Sequence, residues 1–174
     1  MRDTAKGDIA SSGLEFAVRP CGFSDWTGLH RLLQCCFAPM EKRIDPPSSL
    51  NRMSPDDLRR KAENETLVLV RSGRELVACG FFAEHADALY LGKLAVRPDF
   101  RRRGILRSIV SIAEETARDK SIKALVLQTR IELVENHATF QALGFTRTGE
   151  TCHAGYNRPT SITMRKPLQA MRHA

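Results

Sequence analysis

Leu89-Tyr-Leu-Gly-Lys-Leu-Ala-Val96, then Arg97-Pro98-Asp99-Phe100, then Arg101-Arg102-Arg103-Gly104-Ile105-Leu106 is the stretch on which the fold turns. An apolar run with strand character stops at a proline, turns through arginines and a glycine, and opens into a helical pattern. The first N–H groups of such a helix have no acceptors inside it. With the positive end of the helix dipole and the guanidinium groups, they make an anion site best suited to phosphate. Gly104 is the place where a side chain would hold a ligand off the backbone.

A second stretch lies downstream, Asn136-His137-Ala138-Thr139-Phe140-Gln141-Ala142-Leu143-Gly144-Phe145. With both in hand, the sequence resembles the GNAT superfamily of acyl-CoA N-acyltransferases. The likeness is carried by Val96, Pro98, Arg101 and Gly104, and again by Asn136, Ala138 and Leu143-Gly144-Phe145, in the family's order and spacing. It extends less specifically from Leu14 to Leu168. The resemblance implies an α+β fold in which helices flank a mixed central sheet whose parallel strands splay apart at the cofactor site. It implies acetyl-CoA as co-substrate and no metal. By the same resemblance, Leu94, Ala95 and Val96 bind the cofactor from the strand, and Arg101, Arg102, Arg103, Gly104, Ile105, Leu106 and Arg107 bind it from the turn. Asn136 and Phe140 bind it from the far side. The pantetheine arm would insert like an extra strand, bonded to backbone of Leu94 and Val96. The Val96 N–H would serve as oxyanion donor.

The 174 residues, 42% hydrophobic and 27% charged, suit one globular domain of ordinary composition, expected over residues 14–174 behind a loose arm at 1–13. Five cysteines, odd in number and without a C-x-x-C pair, read as reduced thiols of a cytoplasmic protein. No run is long enough for a membrane span. A net charge of +7 invites a nucleic-acid partner. Its distribution argues against one: Arg97, Arg101, Arg102, Arg103 and Arg107 crowd one turn, which suits a compact polyphosphate better than a duplex, and no aromatic-basic stripe accompanies them.

Periodicity predicts strands at Glu15–Arg19, Thr66–Arg71, Glu75–Glu84, Ala88–Val96 and Ala124–Thr129, with a closing hairpin from Thr148–His153 and Thr160–Lys166. Helices are expected after a cap at Ser24 or Asp25, after Ser54-Pro55, from Gly104 to about Lys120, and from Asn136 to Leu143. Leu106, Ile109, Val110, Ala113 and Ala117 should face the sheet. Ala38–Leu50, rich in proline and serine, reads as a loop shaping substrate access.

The reaction implied is attack of a neutral amine on the acetyl carbonyl, which needs a base for the ammonium proton and an acid for the departing thiolate. Many relatives place a tyrosine acid where this chain has Phe140, so either Tyr156 or water takes that task or the thiolate leaves unassisted. The carboxylate often found in mid-strand is also missing, with Gly92-Lys93 in its place. Glu84 is the first candidate base, with Asp87, His85 and Glu132 behind it. His137 reads as a surface residue beside a helix start. Of Cys152 and His153, strand alternation points only one toward the cleft. Asn136 reads as a pantetheine contact, which the resemblance puts slightly ahead of an ordinary N-cap. An N-acetyltransferase for a primary amine of a small molecule or amino-acid derivative leads. A protein lysine or N-terminal acetyltransferase and a non-catalytic acetyl-CoA-binding regulatory module remain alternatives. Exposed strand edges leave room for a homodimer.

Overall fold

The alternating and apolar runs fold as seven strands: β1 Leu14–Val18, β2 Thr66–Ser72, β3 Glu75–Glu84, β4 Leu89–Val96, β5 Ala124–Arg130, β6 Thr146–Thr151 and β7 Ser161–Pro167. Four helices join them: α1 Trp26–Phe37, α2 Pro55–Asn64, α3 Ile105–Asp119 and α4 Val134–Ala142. This computed structural model describes residues 13–169. The arm expected at 1–13 lies outside the described residues except for Gly13, as do residues 170–174 of the expected domain.

The strands make one mixed sheet in the order β1-β2-β3-β4-β5-β7-β6, antiparallel throughout except for β4 and β5. Leu67 and Leu69 of β2 pack toward α1 and α2, with Leu29, Leu33, Leu58, Cys79 and Phe81. Val68 and Val70 pack on the other face against α3, with Phe82, Ile109, Val110 and Ala113. A strand covered on both faces reads as the unbroken apolar run Leu67–Val70.

Local chemistry sets the helix limits. Asp25 Oδ1 accepts from Gly28 N–H at 2.9 Å to start α1. At α2, Ser54 and Asp57 form a reciprocal capping box with Pro55 in the first turn. Two expectations shift. Helix α4 begins at Val134 after Leu133, so Asn136 lies inside the first turn and caps nothing. On α3 it is Ile105, not Leu106, that joins the buried face, because Ile105 stands one turn before Ile109 while Leu106 is rotated about 100° away and half-buried. The Ala38–Leu50 segment is irregular but holds 3₁₀ turns at Ala38–Met40 and Ser49–Arg52.

The feature that positions the site is the divergence of β4 from β5. They pair only through Leu89 with Leu125 and Tyr90 with Val126. Beyond that, β5 stays with β7 as far as Arg130, while β4 stays with β3 as far as Val96. A bulge accompanies the parting: the register shifts between Cys79 and Phe81, and Lys93 takes a φ of 49°. Bulges bend and twist a strand. Gly80 makes room for this one, since a Cβ there would stand 2.9 Å from Leu94 Cδ2.

Phe145, 1% exposed, follows α4 and packs edge-on to Phe140 with centroids 5.9 Å apart. Phe145→Ala is expected to cost about 3–5 kcal/mol in urea unfolding. A loss below about 1 kcal/mol would contradict this packing.

Candidate active site

At the open end of β4 the chain turns through Pro98–Phe100 and reaches α3. Arg97 is tied down here. It donates to Asp99 at 2.7 and 2.8 Å and to Glu75 at 3.0 Å, and its guanidinium lies 4.7 Å from the Phe100 ring. It braces the turn and is not a free cation for a ligand. Arg101, Arg102, Arg103 and Arg107 are exposed, and among the described residues none has a carboxylate within 4.0 Å. The Arg103 guanidinium also lies over the Phe100 ring, 4.6 Å from its centroid.

The backbone completes the anion site. Arg102 and Gly104 have φ of 63° and 76°, which turns the chain left-handed twice before the helix. The first helical bond runs from Ser108 N–H to the Gly104 carbonyl at 3.0 Å. The N–H groups of residues 102–107 therefore have no acceptor among the described residues. Successive unpaired donors at a helix start form a concavity for negative charge. Nothing lies within 4 Å of where a Cβ on Gly104 would point, so the glycine faces open space.

Inward from the turn, a cleft of about 630 Å³ lies between the diverging strands. Leu94, Asn136 and Phe140 line it. Arg97 N–H donates to the Val77 carbonyl at 2.8 Å, which makes Ala78 and Val96 a non-hydrogen-bonded pair of the antiparallel ladder. Both backbone groups of Val96 then point away from β3. Its carbonyl accepts from Arg101 Nε at 3.2 Å, and its N–H faces the open side. Ala95 is buried against the α1 side.

The acid–base candidates are dispersed. Glu84 pairs with Lys120 at 2.6 Å at the closed end of the β4–β5 pair, and it does not line the cleft. Its strand end points to the wrong end of the divergence. Tyr156 O–H donates to Asp45 Oδ1 at 2.5 Å, which raises the phenol's pKa and lowers the carboxyl's, and Tyr156 does not line the cleft either. Asp87 pairs with Arg165 at 3.0 Å, and His85 stacks on Tyr90. Glu132 stands beside the Asp45 backbone and Arg158. His137 Nε2 lies 2.9 Å from the Arg130 carbonyl and fastens α4 to the end of β5.

Of the candidates named from the sequence, His153 lines the cleft, and Cys152 is exposed and does not. Strand β6 ends at Thr151, so both belong to the following loop. His153 Nδ1 lies 2.6 Å from Thr160 Oγ1, which also accepts the His153 backbone N–H at 3.0 Å and donates to the Thr151 carbonyl at 3.3 Å. The tautomer with hydrogen on Nδ1 satisfies these three contacts and leaves a lone pair on Nε2, whereas Arg130 Nη1, a donor 3.4 Å from Nδ1, suits the other tautomer. Partial burial, then the nearby Arg130 charge, lower the imidazole pKa below its ordinary value.

Lys93 also lines the cleft and was visible in the sequence only as a charge interrupting an apolar strand. The bulge turns it toward the Ala38–Leu50 loop, where its ammonium donates to Ser49 Oγ at 2.9 Å. Burial, then Lys61, depress its pKa.

Among the described residues, no three His, Cys, Asp or Glu side chains are grouped to hold a metal ion, and no helix is long and apolar enough to cross a membrane. A family model described as acetyltransferase (GNAT) family matches residues 26–145. No curated protein matches the chain. Solved structures share its fold at low identity. PaiA N-acetyltransferase from Thermoplasma acidophilum in complex with coenzyme A superposes with a TM-score of 0.73 at 13% identity, over 88% of this chain and 99% of that one. A GNAT family acetyltransferase from Elizabethkingia anophelis with acetyl-CoA bound gives 0.64 at 16%, over 90% and 99%. The ribosomal-protein-S18-alanine N-acetyltransferase from Escherichia coli gives 0.62 at 17%, over 91% and 96%.

Gly104→Val puts a branched side chain on a left-handed residue in front of the free N–H groups. It is expected to cost about 1–2 kcal/mol of stability and to weaken acetyl-CoA binding in a titration. Unchanged affinity would mean that the turn is not the phosphate site.

Proposed function

The chain belongs to the GNAT acetyltransferase family and is an acetyl-CoA-dependent N-acyltransferase, and we propose that it acetylates a primary amine of a small molecule or amino-acid derivative in the cytoplasm. The carrying observation is the cleft that opens where β4 leaves β5, together with six unpaired N–H donors in the turn that follows β4. These features fit coenzyme A: the donors and the unpaired guanidiniums of the turn suit a diphosphate, and the unpartnered side of β4 suits an extended chain bearing amides. Leu94, Val96, Asn136 and Phe140 would hold the arm, and Arg101 to Arg107 the diphosphate. Bound there, acetyl-CoA supplies an activated acyl thioester.

The protein's own part is orientation and proton handling. Val96 N–H, unused by β3, would hold negative charge developing on the acyl oxygen. His153 Nε2 would take the ammonium proton, since it faces the cleft where Glu84 and Tyr156 do not. A thiol of pKa about 8.5 can depart without a protein acid, which accommodates Phe140 in place of a tyrosine. Tyr156 then supports the acceptor side by holding Asp45 together with Arg158, at 2.5 and 2.8 Å.

The loop around residues 41–52 supports a small acceptor over a protein one. Arg43 bonds Glu135 of α4, Arg130 donates to the Pro47 carbonyl at 3.2 Å, and Asp45 is held as described. Pro46, Pro47 and Ser49 thus wall one side of the cleft, which favours a small acceptor. Free cysteines support a reducing location.

At a hundredfold excess over its dissociation constant, acetyl-CoA is expected to stabilise the fold by about 2.7 kcal/mol, and amines should release free thiol from it. Tight binding with no thiol release from any amine would favour a non-catalytic module. For His153, the depressed pKa keeps the ring neutral at pH 7. Activity should therefore persist as pH falls through about 6.5 and decline only below. His153→Gln should lower kcat by about 10²–10⁴-fold and abolish that acid limb. An unchanged pH profile would remove His153 as the base.

A further inference from the structure

Basic side chains line the acceptor half of the cleft without acidic partners. Lys93, Arg130 and Arg52 line it, and among the described residues no Asp or Glu does. Among the described residues, none of the three has a carboxylate within 4.0 Å. Lys93 is half-buried, with only the Ser49 hydroxyl as its side-chain acceptor. Arg130 is half-buried too; one terminal nitrogen donates to the Pro47 carbonyl and the other lies 3.4 Å from His153 Nδ1. Removing cations from water without a counter-charge is costly.

The nearest carboxylates form no ion pair with Lys93 or Arg130, although Glu41, Glu65 and Glu132 each keep one buried oxygen without a hydrogen-bond partner. Glu41 Oε2 accepts from Asn51 at 2.7 Å, Asp45 serves Tyr156 and Arg158, Glu132 accepts from the Asp45 backbone N–H at 3.4 Å, and Glu65 pairs with Lys61 at 2.6 Å. Lys93 lies on β4 and Arg130 at the end of β5, so the two charges face each other across the divergence. A polycationic amine brought between them meets like charge, which disfavours it. An anionic group there meets one ammonium and one guanidinium, both charge-assisted donors.

Resting on the acyltransferase reading above, we infer that the acceptor amine carries a carboxylate held between Lys93 and Arg130, which makes it an amino-acid-like compound and not a polyamine or aminoglycoside. The ammonium of Lys93 fixes one carboxylate oxygen beside β4, and the guanidinium of Arg130 fixes the other. The amine is left to face His153 and the open side of Val96.

The test compares the protein amino acids with their carboxamides, alongside spermidine and an aminoglycoside, by thiol release and by calorimetric titration without cofactor. At least one amino acid is expected to be acetylated and bound about tenfold or more better than its amide. Lys93→Met and Arg130→Gln should erase that preference by raising KM for the carboxylate while leaving the amide's KM in place, and Lys93→Arg should restore part of it. Equal use of acid and amide, preference for the polycations, or failure of every amino acid to bind would overturn the inference. Separate titration with acetyl-CoA distinguishes the failures. If acetyl-CoA does not bind, the acyltransferase reading falls, whereas neutral or polycationic amines acetylated with acetyl-CoA bound leave that reading intact and remove only the carboxylate.

Discussion

Everything at the site depends on β4 losing its parallel partner after Tyr90 while keeping its antiparallel one. A buried strand edge with unmet N–H and C=O groups is normally costly. Here the edge is kept open by a bulge at Lys93, room for Leu94 opposite Gly80, and the commitment of β5 to β7 along its whole length. One strand is thus held from one side only. Its other side is available to a ligand that can bond backbone as a strand would.

The same strand delivers the chain to the arginine turn, where two left-handed residues leave a run of donors pointing outward before α3 takes over. Arg97 shows how the charges divide. Its contacts with Asp99, Glu75 and Phe100 hold the turn in shape, while its neighbours stay free of carboxylates. On the far side of the cleft the division is repeated. Asp45, Arg158, Tyr156, Arg43 and Glu135 fasten the loop, and Lys93 and Arg130 are left facing inward.

How much of this is legible in the sequence depends on the range of the cause. Strand alternation, the Ser54-Pro55 helix start and the Gly104 turn are local, and they read correctly within a residue or two. The start of α4 does not, because Leu133 and Val134 carry no cap chemistry and the helix is held by tertiary contacts such as that of His137 with the Arg130 carbonyl. Leu106 misleads for another reason: it stands three residues before Ile109 and Ile105 stands four, both spacings that share a helix face, and tertiary packing chooses Ile105. Glu84 and Tyr156 have suitable chemistry, but whether they reach the cleft is decided by sheet register and by partners as far away as Lys120 and Asp45. Lys93 is visible as a charge in an apolar strand, yet only the bulge reveals that it turns into the cleft.

A crystal structure with coenzyme A bound tests the central claim most directly. The diphosphate is expected within hydrogen-bond distance of the N–H groups of residues 102–107, with the pantetheine arm along the open side of β4 and the thiol between Val96 and His153. Diphosphate held elsewhere, or an arm that leaves the backbone of Leu94 and Val96 untouched, would contradict it.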